Sequence, residues 1–167
     1  MDVLSVHVKR RAAHRWRTLV TVCLLCLTPL LAACEEKTYA VGIRGYNHTD
    51  QDIGQFQING GAGGSALAPH SGGGSLTCCV SIPAKWRPGL QVTVRWVDGW
   101  DKNEQERVVS VPEYTDETAG YFSVHFLRSG EVKVFSTGYA LWHPDYPLKG
   151  EEAGLEAGKS PRGPWDS

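Results

Sequence analysis

Two adjacent cysteines, Cys78 and Cys79, are the residues of this 167-residue chain whose type and spacing most directly suggest chemistry. They follow a run of glycines in the stretch SGGGSLTCCVSIPAKWRPG, residues 71–89. Four kinds of site would use some of these features: a phosphate-binding loop, a metal site, a redox-active thiol pair and a nucleophilic thiol. Each of these sites requires different residues around the cysteines, so the neighbouring sequence separates them.

The neighbouring sequence does not fit a phosphate loop or a metal site. A phosphate loop leads into a helix and ends in lysine with serine or threonine. Here the glycine run leads into a strand pattern, and the next lysine is Lys85. Structural zinc usually takes four Cys and His ligands, but adjacent cysteines on a strand point to opposite faces. Four histidines lie after residue 33, without close pairing: His48, His70, His125 and His143. We therefore expect no metal and no cofactor.

Nucleophilic catalysis needs a nucleophile, a base and an orienting group that come together. Serines lie in and near the glycine run, but none of them sits in a Gly-x-Ser-x-Gly elbow. Cys79 paired with His70 or His125 is the formal alternative, as in a thiol-dependent enzyme. No pattern in the sequence joins these residues, so we expect no catalytic residue and no enzyme activity.

The N-terminus indicates the compartment in which the cysteines lie. A basic region is followed by an apolar run over residues 19–31 and then by small residues, which is the order of an export signal. The apolar run is shorter than the roughly 20 residues that span a bilayer. The segment LAAC, residues 31–34, resembles the lipobox of bacterial lipoproteins. That resemblance implies cleavage between Ala33 and Cys34, and acylation of Cys34 by several fatty chains (palmitate among them), which together make a stable anchor.

Three states of Cys78 and Cys79 are open in the oxidising periplasm. Both thiols stay reduced, with Cys78 as a small residue of the core; or the two form a disulfide with each other; or Cys79 bonds to another chain. Consecutive Cα atoms lie about 3.8 Å apart across a trans peptide, whereas ordinary disulfides have roughly 4.4–6.8 Å. The reduced state therefore ranks first.

Alternating apolar residues predict seven short strands, and no segment has a sustained helical period. LQVTVRWV at 90–97 is the clearest strand, while YFSVHFL at 121–127 and VKVFS at 132–136 form a hairpin. The other predicted strands cover residues 39–46, 54–59, 77–83 and 107–112. Short strands between Gly and Pro turns favour an all-β fold, and we expect an antiparallel β-sandwich of about seven strands. We expect residues 60–75 to form a flexible Gly-rich loop.

These elements divide the chain into four segments. Residues 1–33 are the signal peptide, 34–37 a lipidated tether, 38–146 the β-sandwich and 147–167 a polar, disordered tail. We expect the domain to face the periplasm, with its anchor in the outer membrane rather than the inner one. Without the signal the chain has a formal charge of −5, which gives no electrostatic basis for binding nucleic acid.

Tryptophans are the candidates for contact with a partner. Trp86, Trp100 and Trp142 lie in predicted loops, and exposed aromatic residues in loops are typical anchors of interfaces. The alternative is that they close the ends of the sandwich.

The stretch from the glycine run onward resembles a proteobacterial lipoprotein family known only as a domain of unknown function. The matching positions are Gly72–Gly74, Cys78, Cys79, Pro83, Trp86, Pro88, Gly89, Val92, Val94 and Trp96. They form a glycine run, a cysteine pair, a P-x-x-W-x-P-G element and a Val/Trp strand, and the resemblance covers residues 38–146. Some members of the family are immunity lipoproteins encoded beside lipase effectors of type VI secretion.

The resemblance implies that this chain is an immunity protein that binds and blocks a phospholipase effector. A structural or accessory envelope lipoprotein without a toxin partner is the alternative, and a periplasmic thiol enzyme is a third hypothesis. Tethering fits the first of these, because an inhibitor held at the bilayer is concentrated where a lipase acts.

Overall fold

The computed structural model describes residues 36–61, 63–73, 77–99 and 103–160, nearly all of them in one compact unit, Lys37–Ser167. No helix in these ranges has the length and apolar character needed to cross a membrane. The described chain forms a short 3-10 helix, Gly150–Glu152, and nine strands. The strands are β1 Thr38–Asn47, β2 Ile53–Ile58, β3 Gly63–Gly64, β4 Ser71–Gly72, β5 Thr77–Pro83, β6 Gln91–Asp98, β7 Asn103–Ser110, β8 Tyr121–Phe126 and β9 Val132–Thr137.

The strands form two sheets that pack against each other. Sheet A has the order β4-β1-β8-β9, and β5 pairs with the same edge of β1 as β4 does. Sheet B has the order β3-β2-β6-β7. All pairs are antiparallel except β1 with β8, which run parallel. The predicted all-β sandwich is confirmed, and the seven predicted strands correspond to β1, β2 and β5 to β9.

The main core lies between the two sheets. In β6 the alternating residues Val92, Val94 and Trp96 are buried, while their neighbours are exposed or half-buried. They pack in one cluster with Phe122 and Val124 of β8. Full burial of such a side chain contributes about 1.5–3 kcal/mol, so this face fixes the register of the strands.

Sheet A is also covered on its outer face. Five consecutive residues of β8, Phe122–Phe126, are buried, which requires protein on both sides of the strand. The cover comes from the chain that follows β9. A second cluster contains Tyr46, Leu127, Phe135, Leu141, Tyr146 and Leu148.

The predicted disordered tail is wrong for residues 147–160, which we call the C-terminal strap. Leu148 and Gly154 are buried, and the strap includes the 3-10 helix. Its sequence is polar, but its backbone carbonyl oxygens accept hydrogen bonds from side chains on the outer face of sheet A. Few apolar side chains are therefore needed to hold it there. Residues 161–167 lie outside the described part of the chain.

The predicted flexible loop, residues 60–75, also has regular structure where it is described. β3 and β4 lie within it, and each adds a short strand to one sheet. A Cβ added to Gly64 would overlap the ring of Phe56. This glycine therefore permits a close approach between strands. Amino-acid composition alone does not show whether a glycine serves this purpose or makes a loop flexible.

Replacing Gly154 tests whether the strap contributes to stability. A Cβ at this position would overlap the carbonyl oxygen of Lys159. We expect Gly154→Ala to lower the unfolding free energy of the full-length chain by about 1–3 kcal/mol in urea, and to speed proteolysis after residue 146. Gly138→Ala is the matched control, because a Cβ there meets open space. Equal stability and equal proteolysis of the two variants would contradict the strap's role.

Candidate functional site

The outer face of sheet A brings together side chains that are far apart in the sequence. In the parallel register of β1 and β8, Tyr46 lies opposite His125. Their rings stack with centroids 4.5 Å apart and planes 7° from parallel. His48 follows Tyr46 on the same face of the strand, because side chains alternate. The expectation that the histidines have no close pairing is therefore wrong, since strand pairing joins His48 to His125.

A chain of hydrogen bonds runs from Tyr146 to the strap. The Tyr146 hydroxyl lies 2.6 Å from His125 Nε2, and His125 Nδ1 lies 2.9 Å from His48 Nε2. His48 Nδ1 lies 3.0 Å from the Gly154 carbonyl oxygen. This oxygen can only accept, so His48 carries its proton on Nδ1. His48 Nε2 then accepts from His125 Nδ1, and His125 Nε2 accepts from the hydroxyl. The hydroxyl, the two imidazole rings and the carbonyl oxygen thus all have hydrogen-bond partners while both histidines are neutral.

Burial keeps this chain uncharged. His125 is fully buried, which lowers the pKa of its ring well below the usual value, and nearby His48 and Lys133 act in the same direction. Burial also lowers the pKa of His48, although the hydrogen bond to Gly154 opposes this. The pKa of the Tyr146 hydroxyl is raised by burial. Neither histidine is accessible to a substrate in this structure, so the chain of hydrogen bonds can hold the strap but does not act as a base there.

The strap is held mainly through its backbone carbonyls. Arg128, which follows β8, donates from Nη1 to the carbonyl oxygens of Gly154 and Leu155, both at 3.0 Å. Its Nη2 donates to the carbonyl oxygen of Glu151 at 2.6 Å. Lys133 in β9 adds an ion pair with Glu152 at 3.4 Å. Every residue has a carbonyl, so the sequence contains no side-chain pattern that would have revealed this docking.

His70 joins the glycine-rich segment to the strap. Its Nδ1 lies 3.0 Å from the Leu155 carbonyl oxygen, and its Nε2 lies 2.8 Å from Asp50 Oδ1. Both partners accept, so these two hydrogen bonds together favour a proton on each ring nitrogen, which is the charged imidazolium form. The hydrogen bonds to Leu155 and Asp50 accordingly raise the pKa of His70. This charged ring contrasts with the neutral pair in the interior.

A pocket of about 470 Å³ opens beside these contacts. Arg44 and Tyr46 of β1 line it together with His70, and the strap contributes Leu155 and other residues. Trp142 also lines the pocket and is 41% exposed. The pocket combines cationic and apolar groups at a point where β1, the glycine-rich segment, residues 140–142 and the strap meet, which makes it the best candidate for a binding site. Arg44 was not among the residues singled out from the sequence. The alternation of side chains along β1 was the one feature of the sequence that could have indicated its position.

Cys78 and Cys79 lie at the edge of sheet A and are joined by a disulfide across a cis peptide bond. The structure thus holds the bonded form rather than the reduced form ranked first from the sequence. The register of β5 on β1 shifts here, so the two cysteines oppose the single residue Gly42, as in a β-bulge. Cys78 is exposed, whereas Val80 and Ile82 are buried. The placement of Cys78 in the core is therefore wrong, because the bulge interrupts the alternation.

Two of the predicted partner-binding tryptophans, Trp86 and Trp142, do not lie together. The indole Nε1 of Trp86 donates to the Val111 carbonyl oxygen at 2.8 Å, and its ring packs against the main core. Trp86 lines a different depression from the one at Trp142. Trp100 lies outside the described residues, as do Ala33 and Cys34. Among the described residues there is no group of three Cys, His, Asp or Glu that could hold a metal ion.

Comparison with known families gives one match. A family model described as "Protein of unknown function (DUF3304)" matches residues 46–134, more than half of the chain. The matched range includes strands of both sheets together with His48 and His125, and the strap lies outside it. The expected similarity to a family of unknown function is thereby confirmed. No curated protein and no solved structure matches the chain.

The neutral histidine pair predicts a loss of stability in acid. His125 has a lowered pKa when folded, so below about pH 6.5 its ring binds more protons in the unfolded chain than in the folded one. The contribution of His125 to stability must then fall as the pH decreases through this range, by up to about 1.4 kcal/mol per pH unit. His70 acts in the opposite sense, because its raised pKa stabilises the fold at low pH and loses this effect as the pH rises.

Urea unfolding between about pH 7 and 5 measures this loss. The matched variant is His125→Asn, which removes the buried titrating ring and keeps a polar side chain. We expect it to be less stable than the wild type at neutral pH, and to lose less stability on acidification. Parallel pH profiles for the two proteins would show that His125 is not held neutral.

Proposed function

The chain belongs to the DUF3304 family of proteins of unknown function, and we propose that it is a lipid-anchored immunity protein that binds and blocks a type VI secretion phospholipase effector. The observation that carries the proposal is the pocket with exposed Trp142, on a sandwich in which the buried residues His48 and His125 hydrogen-bond to each other. Such an arrangement suits recognition of a partner. The class of partner comes from the resemblance of the sequence to a lipoprotein family of which some members are immunity proteins.

The position of the first strand supports a tethered inhibitor. β1 begins at Thr38, four residues after Cys34. An extended linker of this length reaches at most about 15 Å. A sandwich anchored through Cys34 would therefore remain at the membrane surface, where a phospholipase finds its substrate. Tethering raises the effective concentration of the inhibitor at that surface without any new contact.

The disulfide favours this proposal over the thiol enzyme. A nucleophilic cysteine must be a free thiolate, and Cys79 has no thiol while it is bonded to Cys78. The strap and the neutral histidine pair connect the face that carries the pocket through hydrogen bonds. A preformed surface loses less conformational entropy on binding, which is the property that a tight inhibitor needs.

Co-expression with a phospholipase tests the function. The enzyme encoded beside the gene for this chain is directed to the periplasm, alone and together with the full-length chain. We expect the enzyme alone to kill the cells and the chain to restore growth. Death at the same rate in both cultures, or the lack of a neighbouring phospholipase gene, would contradict an immunity role and leave the accessory lipoprotein as the better hypothesis.

A Cys34→Ser variant separates tethering from binding. We expect radiolabelled palmitate to enter the wild-type chain and not the variant, because the acylated thiol is absent. The variant should protect cells less well than the wild type at equal expression. Equal labelling of both proteins would show that Cys34 is not the site of lipid attachment.

A further inference from the structure

Arg44 is the cation of the pocket whose charge the described residues do not balance. It is half-buried in β1, with its guanidinium carbon 3.4 Å from the ring centroid of Tyr121. Its Nε is enclosed and has no hydrogen-bond partner. Within the described ranges, no carboxylate forms an ion pair with it. A partly desolvated guanidinium without an anion is costly, so an incoming carboxylate would improve its environment.

The other cations around the pocket already have partners. His70 pairs with Asp50 at 2.8 Å, and Lys159 pairs with Glu156. Among the described residues, the pocket therefore offers one unbalanced positive charge, not a cluster of several. This charge matches a single carboxylate. The Glu156 carboxylate, which also lines the pocket, disfavours ligands with more than one negative charge.

Apolar groups complete the pocket beside Arg44. Leu141 and Leu155 line it, and Trp142 presents an exposed ring. Arginine and tryptophan are the residue types that most often dominate the energy of protein interfaces. The pocket volume of about 470 Å³ falls within the range of sites that enclose a ligand group.

We propose that this pocket binds an acidic side chain of the phospholipase partner, whose carboxylate pairs with Arg44 while an adjacent apolar residue packs on Trp142. This inference rests on the proposed function and identifies the surface that performs it. The planar fork of the guanidinium suits a carboxylate in a bidentate arrangement. A protein segment is favoured over the bilayer because the chain without its signal has a formal charge of −5, which repels an anionic lipid surface.

Titration calorimetry of the full-length chain, in detergent, with the phospholipase encoded beside its gene tests the surface. We expect Trp142→Ala and Arg44→Gln each to weaken binding by at least about 10-fold. Arg44→Lys keeps the charge and loses the fork, so it should fall between Arg44→Gln and the wild type. Two controls on sheet B, Val108→Ala and Arg95→Gln, remove an exposed apolar group and an exposed cation and should bind as the wild type does.

Each outcome of this titration decides the inference. If the wild type binds and the pocket variants bind equally well, the surface is wrong and the immunity role stands. If the wild type does not bind, the immunity role fails and the inference fails with it. Should Arg44→Gln unfold, the exposed Trp142→Ala variant decides alone. Arg44-dependent binding of glycerophosphoglycerol, a soluble lipid headgroup, would overturn the choice of a protein occupant.

Discussion

The burial of sheet A on both faces is the constraint on which the rest of the structure depends. Polar side chains of β1 and β8 that would otherwise meet water are enclosed, and each needs a partner, because a buried polar group without one costs about 1–3 kcal/mol. The chain Tyr146, His125, His48 and the Gly154 carbonyl meets that need for both histidines without any charge, whereas Ser123 Oγ of β8 has no hydrogen-bond partner among the described residues. The strap thus supplies the acceptor that His48 needs, and this hydrogen bond adds to those from Arg128 and His70 that hold the strap.

The pocket follows from the same constraint. Its walls come from β1, the glycine-rich segment, residues 140–142 and the strap, four parts of the chain that nothing local in the sequence connects. His70 and Arg128 join them through backbone carbonyls of the strap. The site exists only when the strap is docked. A partner that binds in the pocket would therefore stabilise the docked strap and, with it, the outer face of sheet A.

Short-range pattern was sufficient to predict the sandwich and insufficient to predict the site. Alternation in β6 and in the hairpin of β8 and β9 is visible within a few residues, so the strands could be predicted. Ser123 and His125 alternate with apolar residues along β8, yet both are buried. Their cover depends on the parallel pairing of β1 with β8 and on carbonyls of the strap, and neither leaves a local pattern. The disulfide could not be predicted for a similar reason, because the bulge opposite Gly42 depends on the pairing of β5 with another strand.

The protonation of three histidines is the most direct test of this account. Nitrogen-15 NMR of the full-length chain, labelled at histidine, reports which ring nitrogens carry protons at neutral pH. We predict a proton on Nδ1 alone for His48 and for His125, and protons on both nitrogens of His70. A doubly protonated His125, or His48 protonated on Nε2 alone, would contradict the neutral chain that holds the strap.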